Sequence, residues 1–255
     1  MFPYRDENVS RRTPIATIAL IGANLASWIL VQGAGSAYPL AASVCNFGLI
    51  AGELTGTLKP GTAFPMGEGL ACVTDPGPQV LHVVTHMFLH GSWMHLLGNL
   101  WFLWIFGDNA EDSMGHVRFL VFYLACGLAA AALQVAVTPT SGVPMVGASG
   151  AISGVMGGYV ILYPRVRVFV LLPLGFLLTT VALPAWTMIG YWAMIQLVSG
   201  VVSLGAASEE AGGVAFWAHL GGLVAGLVLV KLFARSDYVA EHRAHHWAPR
   251  RLGWQ

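Results

Sequence analysis

Six apolar stretches, each close to the length that a helix needs to cross a bilayer, constrain this chain more than any other feature. A helix spans the roughly 30 Å of hydrocarbon with about 20 residues. Only 9% of the residues are charged, against about a quarter in a soluble domain. The sequence therefore predicts an all-α membrane protein with a bundle of six transmembrane helices. The six predicted spans are Ile15–Gln32, Ser92–Phe106, Phe119–Val137, Pro144–Tyr163, Ala185–Leu204 and Val214–Phe233.

Two apolar segments leave alternatives open. Val168–Leu183 is short and is interrupted by Pro173 and Gly175, which favours a connection along the membrane surface; a seventh span is the alternative. The first span also resembles a cleaved signal peptide, because the segment Gly33–Ala37 after it is rich in small residues. Its apolar run is long, and removing it leaves no equally good topology. We therefore interpret it as a helix.

The basic residues predict the orientation. With six spans and a cytoplasmic N-terminus, Lys59 is the only one of the 12 Lys and Arg residues on the outer side. The predicted division is a cytoplasmic segment 1–14, a membrane domain 15–233 with a large outer loop 33–91, and a cytoplasmic tail 234–255. A formal net charge of zero gives no reason to expect a nucleic-acid partner. The lack of additional targeting domains favours the inner membrane of a bacterium.

Two loops are predicted to lie on the outer side of the membrane. Gly33–Gln79 is predicted to be the largest non-helical part of the chain, and it contains Cys45 and Cys72. These two cysteines either form a disulfide or stay as two unpaired thiols, whereas Cys126 lies in the third span as a packing residue. The short loop Gly205–Gly213 is expected to cap the candidate site described next.

The three even-numbered spans carry polar residues in their first two turns. His95 and Asn99 lie four apart in the second span, Ser149 and Ser153 lie in the fourth, and His219 lies in the sixth. All three spans run from outside to inside, so these side chains reach a similar depth, about 5–10 Å below the outer surface at 1.5 Å per residue. Because ionisable residues in a membrane are costly, this cluster predicts a functional site.

Acyl transfer is the chemistry that such a set supports. A serine hydroxyl is a weak nucleophile, and a histidine can act as its general base near neutral pH. We therefore predict Ser149 and His219 as the catalytic pair. The negative charge that develops on the attacked carbonyl oxygen needs donors, and His95, Asn99 and the N–H of Ser149 are the candidates.

Glycines on two spans would allow the nucleophile and the base to meet. Gly150, Gly154 and Gly158 recur every four residues in the fourth span, and Gly222 and Gly226 do so in the sixth. Small residues at this spacing let two membrane helices approach closely. The pattern predicts direct packing between these two spans.

Three motifs together resemble the rhomboid family of intramembrane proteases. The segment Gly147–Gly150 reads G-A-S-G, similar to the G-x-S-G of that family, and His95–Asn99 resembles its H-x-x-x-N segment. His86 and His90 correspond to the histidines upstream of that segment. Trp217–Gly226 contains A-H-L-G-G-x-x-x-G, which resembles the family's A-H-x-x-G-x-x-x-G helix. The resemblance covers about residues 80–229.

The resemblance implies a fold, an activity and roles for these residues. It implies a rhomboid-like bundle that hydrolyses peptide bonds in or near the transmembrane segments of membrane proteins, with a dyad of Ser149 and His219 and no Asp. It implies an oxyanion site at His95 and Asn99, a structural glutamate at Glu111, no cofactor and no metal. The implied partners are transmembrane protein substrates and the lipid bilayer.

Two features depart from the family. The Trp-Arg pair that members often carry in the first outer loop is replaced here by Leu81-His82, so the usual anchoring of that loop is not expected. Ser153 lies where some members carry a tyrosine that stacks on the dyad histidine. The expectation is that His219 is oriented in a different way in this chain.

Competing interpretations exist for several groups. His86, His90 and His95 could ligate a metal, but no HExxH motif accompanies them, so hydrogen bonds that anchor the outer loop are the preferred role of the first two. Glu111 with Asp108 and Asp112 could be a solvated turn. The histidines and arginines of the C-terminal tail are interpreted as a soluble basic end, with anionic lipid as a possible contact; they are His242, His245, His246, Arg250 and Arg251.

Two other classes of protein would also carry this polar cluster. One is a catalytically inactive relative that binds client helices. The other is a transporter or channel, which would need polar residues that continue to the inner side. Below Asn99, Ser153 and Gly222 the spans become almost wholly apolar, which favours a pocket that is open to one side only.

Overall fold

The computed structural model of this chain describes residues 2–67, 69–174, 177–205 and 214–247, and most of these residues are helical. The long helices are connected by short helices, strands and turns, with a π-helical turn at Ser27–Val31 after the first helix. The α-helices are α1 (Ile15–Ala26), α2 (Ala37–Phe47), α3 (Ala51–Leu54), α4 (His82–Thr85), α5 (Trp93–Met114), α6 (His116–Val137), α7 (Ser149–Leu162), α8 (Ala185–Gly205), α9 (Phe216–Phe233) and α10 (Ser236–Trp247).

Three of the described helices are long and apolar enough to cross a membrane: α6, α8 and α9. Two shorter apolar helices are Ile15–Val31, which includes α1, and α7. This pattern of several apolar helices is that of an integral, multi-pass membrane protein. Helix α5 has 22 residues and extends well beyond the predicted end at Phe106. Helix α7 begins at Ser149, five residues after the predicted start at Pro144.

Helices α7 and α9 pack in parallel, with their backbones in contact. A Cβ atom added to Gly222 would lie 1.8 Å from the carbonyl oxygen of Gly150, and one added to Gly226 would lie 2.0 Å from that of Gly154. Since both contacts advance by four residues in the same direction, the two helices start at the same end of the molecule. The predicted glycine packing between these two segments is therefore present.

The chain is not all-α, because three strands form a sheet at the other end of α7. Strands β4 (Arg167–Leu174) and β5 (Leu177–Pro184) are antiparallel, and Arg167 pairs with Pro184. Strand β1 (Phe2–Asp6) adds to the free edge of β4. A hairpin returns to the side from which it started, so the alternative of a seventh span at Val168–Leu183 is wrong.

The outer loop is more ordered than predicted. Gly33–Gln79 contains helix α2 and a hairpin of strands β2 (Ala63–Gly67) and β3 (Leu70–Val73). Cys45 of α2 and Cys72 of β3 form a disulfide, and Cys126 is free and buried. The expectation of a non-helical loop was wrong for Ala37–Phe47, which form α2; Pro39 lies in the first turn of this helix, where proline is tolerated.

The C-terminal tail is not simply a soluble end. His242, on α10, is fully buried, and its ring nitrogens lie 2.8 Å from Asp112 Oδ2 and 2.7 Å from Asn8 Oδ1. Arg12 also pairs with Asp112, at 3.1 Å. The N-terminal segment and α10 therefore meet at the end of α5. The side chains of His245 and His246, and residues 248–255 with Arg250 and Arg251, lie outside the described part of the chain.

Glu111 is a structural glutamate and not part of a solvated turn. Its carboxylate accepts hydrogen bonds from the backbone N–H groups of Ala16 and Thr17, at 2.9 and 2.8 Å, and from the Thr17 hydroxyl. Pro14, before α1, has no side-chain cap of its own. Glu111 therefore caps the N-terminus of α1 from another helix, where a negative charge is favoured.

Candidate active site

The candidate nucleophile is the first residue of α7, and glycine places it there. Gly147 has φ +127°, a backbone conformation that favours glycine, and a Cβ atom on it would lie 2.7 Å from His95 Nε2. Its N–H donates to the carbonyl of His86 at 2.9 Å. Ser149 follows in a half-buried position, and its own N–H is one of the free donors at a helix N-terminus. The Gly147–Gly150 segment thus presents a hydroxyl and an N–H together.

Ser149 and His219 are hydrogen-bonded. Ser149 Oγ lies 2.7 Å from His219 Nε2, although the two residues are 70 positions apart in the chain. His219 lies in the first turns of α9, which packs directly on α7 through the glycine contacts described above. A serine hydroxyl within this distance of an imidazole nitrogen is the arrangement that activates a serine as a nucleophile.

His95 approaches the same point from α5, and Asn99 lies one turn further along that helix. Ser92 caps this helix by accepting a hydrogen bond from the His95 N–H at 3.1 Å. His95 Nδ1 accepts from the Gly91 N–H at 3.3 Å, so in the neutral ring the proton belongs on Nε2, the atom next to Gly147. Asn99 is 6% exposed, and its buried Nδ2 has no hydrogen-bond partner among the described residues. His95 therefore offers a donor next to Gly147, and Asn99 carries an unpaired donor one turn further along the same helix.

His86 and His90 support this region through their backbones. Both side chains are buried, and among the described residues the ring nitrogens of His90 have no hydrogen-bond partner. The backbone of His90 is instead held at both polar atoms by the side chain of Gln32, each at 2.8 Å. The expectation that its ring anchors the outer loop by a hydrogen bond was wrong for His90, and for His86 it stays a prediction.

Helix α8 supplies contacts to His219 that sequence reasoning missed. Gln196 Oε1 lies 2.8 Å from His219 Nδ1, and the ring of Trp192 lies 5.8 Å from the His219 ring, centroid to centroid. Ser153 does not reach the histidine, because its hydroxyl donates to the backbone carbonyl of Ser149 at 2.6 Å. A different orientation of His219 from that in other family members stays a prediction. The sequence feature that could have predicted the contact from α8 is Gln196 itself, the only amide side chain in the fifth apolar stretch.

Space for a ligand lies next to His95. A cavity of about 390 Å³ borders His95 and includes polar groups of Gln134 and Ser141 in a mostly apolar wall. Gln134 also accepts a hydrogen bond from the Ala218 N–H at 3.1 Å, next to His219. Residues 206–213 of the predicted cap, the Gly205–Gly213 loop, lie outside the described residues.

Metal binding has no support in the described residues. Among them, no group of three or more His, Cys, Asp or Glu side chains is arranged to hold an ion. His86, His90 and His95 are close in sequence, and the rings of His90 and His95 meet edge to face with centroids 5.2 Å apart. That contact is aromatic packing and not a set of converging ligands.

Comparison with known proteins identifies a shared domain. Residues 77–236 match the family described as the Rhomboid domain. Over 162 residues the chain is 32% identical to Rhomboid-like protein 11, chloroplastic, of Arabidopsis thaliana. This match covers 62% of this chain and 54% of the relative. Over 157 residues it is 30% identical to Rhomboid-like protease 5 of Toxoplasma gondii, covering 59% of this chain and 16% of the relative.

A third relative matches over a shorter region. It is RHOMBOID-like protein 6, mitochondrial, of Arabidopsis thaliana, 35% identical over 81 residues, or 32% of this chain and 26% of the relative. The chain thus spans about half of the first of these relatives and smaller fractions of the other two. Ser149, His219, His95 and Asn99 all lie within the matched domain.

Proposed function

This chain belongs to the rhomboid family, and on that premise we propose that it is an intramembrane serine endopeptidase. It hydrolyses peptide bonds in or near transmembrane segments of other membrane proteins with Ser149 and His219. The observation that carries the proposal is the 2.7 Å hydrogen bond between Ser149 Oγ and His219 Nε2. A catalytically inactive, client-binding relative would have no need of this contact.

The first step forms the acyl-enzyme. Ser149 Oγ attacks the peptide carbonyl carbon, while His219 Nε2 accepts the hydroxyl proton. The C–N bond then breaks, and the imidazolium returns this proton to the leaving amine nitrogen. In the second step water attacks the ester carbonyl, His219 removes a proton from that water, and the same proton goes back to Ser149 Oγ as the acid leaves. The cycle needs no cofactor and no metal, since atoms and charges balance with water alone.

Negative charge on the attacked oxygen is stabilised by the neighbouring donors. The N–H of Ser149 lies at the positive end of α7, His95 directs Nε2 toward Gly147, and Asn99 holds an unpartnered amide nitrogen. Removing one such donor in a hydrolase typically costs a factor of about 10² to 10³ in kcat. His95, Asn99 and the Ser149 N–H are therefore proposed as the oxyanion site.

The membrane topology that accompanies this activity is a bundle of six spans. We assign them to Ile15–Val31 and to helices α5, α6, α7, α8 and α9, with segments 1–14 and 234–255 in the cytoplasm. The distribution of Lys and Arg supports this orientation. The candidate site, at the first turns of α5, α7 and α9, would then face the outer side. The inner membrane of a bacterium is the proposed location.

The substrates are proposed to be single helices that enter from the lipid. Much of α8 faces outward, and Tyr191 and Met194 are 48% and 64% exposed. A substrate that passes this helix must unwind before its backbone can reach Ser149. Unwinding exposes backbone polar groups, which is unfavourable in lipid, so substrate segments with helix-breaking residues would be preferred.

Covalent labelling tests the proposed nucleophile without a known substrate. A fluorophosphonate probe is expected to add to Ser149 of the detergent-purified protein, with the modified residue located by mass spectrometry. Labelling should be lost in His219→Ala, because the serine then lacks its base. Labelling of other serines to the same extent, or equal labelling of the His219→Ala variant, would contradict the proposal.

A further inference from the structure

Two side chains of α8 hold the ring of His219 from the side opposite Ser149. Gln196 Oε1 lies 2.8 Å from Nδ1, and Trp192 packs its ring against the imidazole at an interplanar angle of 37°. The two residues are four positions apart, so they project from the same face of the helix. Gln196 is 8% exposed, so little water can compete for the Nδ1 position.

The Gln196 contact selects one form of the neutral imidazole. A carbonyl oxygen can only accept a hydrogen bond, so His219 Nδ1 must carry the proton. Nε2 then has a free lone pair, and this is the atom that faces the Ser149 hydroxyl at 2.7 Å. The opposite tautomer would place a proton on Nε2 and could not accept one from Ser149. A wrong tautomer is a severe defect in a serine hydrolase, even when the geometry is intact.

We propose that Gln196 is a positioning residue of this enzyme, which fixes His219 in the tautomer and orientation that a general base needs. The inference rests on the proposed function and extends it to a third residue, on a third helix. Ser153 cannot position His219 in this way, because its hydroxyl donates a hydrogen bond to the carbonyl of Ser149. The support for the histidine therefore comes from α8 and not from α7.

This arrangement ties the dyad to the position of α8. Gln196 and Trp192 lie on the inner face of a helix whose outer face is exposed, as at Val198 and Val202, 57% and 66% exposed. Any movement of α8 away from α9 would break the Gln196–His219 hydrogen bond together with the ring contact. The base is thus fully oriented only while α8 is packed in place.

Two substitutions at Gln196 separate positioning from packing. Gln196→Met keeps the length of the side chain but removes the acceptor, and kcat should fall about 10- to 100-fold with KM within about twofold. Gln196→Glu keeps an acceptor oxygen and should retain kcat within about fivefold of wild type. If packing alone mattered, Met would be tolerated and a buried Glu would be the worse variant. Val202→Ile, on the exposed face of the same helix, is the matched control and should behave as wild type.

A tautomer measurement tests the proposal without any substrate. In protein labelled with ¹⁵N-histidine, His219 is assigned by comparison with His219→Ala. Its Nδ1 should be protonated and its Nε2 should be an acceptor in wild type, and Gln196→Met should lose this bias. Unchanged His219 tautomers in Gln196→Met, or wild-type kcat in that variant, would overturn the role of Gln196. Absence of cleavage by wild type with the expected tautomer shift would instead contradict the proposed function alone.

Discussion

Gly222 and Gly150 bring the backbones of two helices into contact: a Cβ atom on Gly222 would lie only 1.8 Å from the Gly150 carbonyl oxygen. Gly150 follows Ser149 directly, and Gly222 lies one turn after His219. This contact therefore sets the distance between Ser149 Oγ and His219 Nε2, and it lies about one helical turn from those two atoms.

Substitution of Gly222 should separate the proposed dyad. In Gly222→Ala the new methyl group meets backbone on α7, so the helices must move apart by an ångström or more. A displacement of about 1 Å can cost about 10²-fold in rate, so we expect a loss of activity of at least that size together with a lower melting temperature. The assay is cleavage of a single-span substrate in detergent.

Gly190→Ala is the matched control, because nothing lies within 4 Å of a Cβ atom at that position of α8. It should keep both wild-type activity and melting temperature. Full activity in Gly222→Ala would show that the close contact does not determine the dyad geometry.

Removal of the Asn99 amide should harm catalysis without harming stability. Its Nδ2 is buried without a partner among the described residues, so Asn99→Ala removes an unsatisfied donor. The free energy of unfolding should therefore stay the same or rise slightly. If Asn99 stabilises the oxyanion, kcat should fall about 10²- to 10³-fold with little change in KM. Gly98→Ala, with open space around its Cβ, serves as the control in the same turn. A variant with wild-type kcat would remove Asn99 from the oxyanion site.

The Cys45–Cys72 disulfide should stabilise the outer loop. It closes a loop with a sequence separation of 27, for which chain entropy predicts about 3.5 kcal/mol. Under denaturing conditions, alkylation should therefore modify one thiol, that of Cys126, before reduction and three after it. Reductant should lower the melting temperature of wild type but not that of a Cys45→Ser, Cys72→Ser double variant. Three thiols reactive before reduction would refute the pairing.

Asp6 should make stability depend on pH. Burial raises the pKa of this carboxyl from its usual value near 3.8 to about 7, and the negative charge of Asp108 adds to the rise, whereas a hydrogen bond from the Tyr159 hydroxyl opposes it. Because the folded pKa is the higher one, the contribution of Asp6 to stability is complete below about pH 4 and is lost as the pH rises through 7. The full effect is at most about 4 kcal/mol.

The measurement is the melting temperature of wild type and Asp6→Asn between pH 4 and pH 8. The advantage of wild type over the variant should shrink over this range, whereas Asp237→Asn, at an exposed position, should follow wild type. A constant difference between wild type and Asp6→Asn would mean that Asp6 does not titrate in this window.

The sequence predicted the parts of the site that lie in short motifs. Ser149, His219, His95 and Asn99 each stand in the first turns of an apolar stretch, and helices of equal direction bring such positions to one level. The glycine spacing predicted which two helices touch. These inferences need only helical periodicity, so they did not depend on knowing the loops.

The sequence did not reveal contacts that depend on distant partners. His242 resembled one of several solvated histidines, but its burial depends on Asp112 and Asn8, 130 and 234 residues away. Strand β1 pairs with β4, more than 160 residues later in the chain. No local pattern in Phe2–Asp6 predicts this pairing or its register. The role of Gln196 could have been predicted from the sequence, since a single amide side chain in an apolar helix needs a hydrogen-bond partner.

The central claim is that Ser149 and His219 act together to cleave membrane proteins, and one measurement tests it most directly. Purified wild type, Ser149→Ala and His219→Ala are compared in detergent on a model substrate with a single transmembrane helix, with melting temperature as the check on folding. The account predicts cleavage by wild type and loss of at least about 10³-fold in each variant, with similar melting temperatures. Cleavage by either variant at the wild-type rate would contradict it.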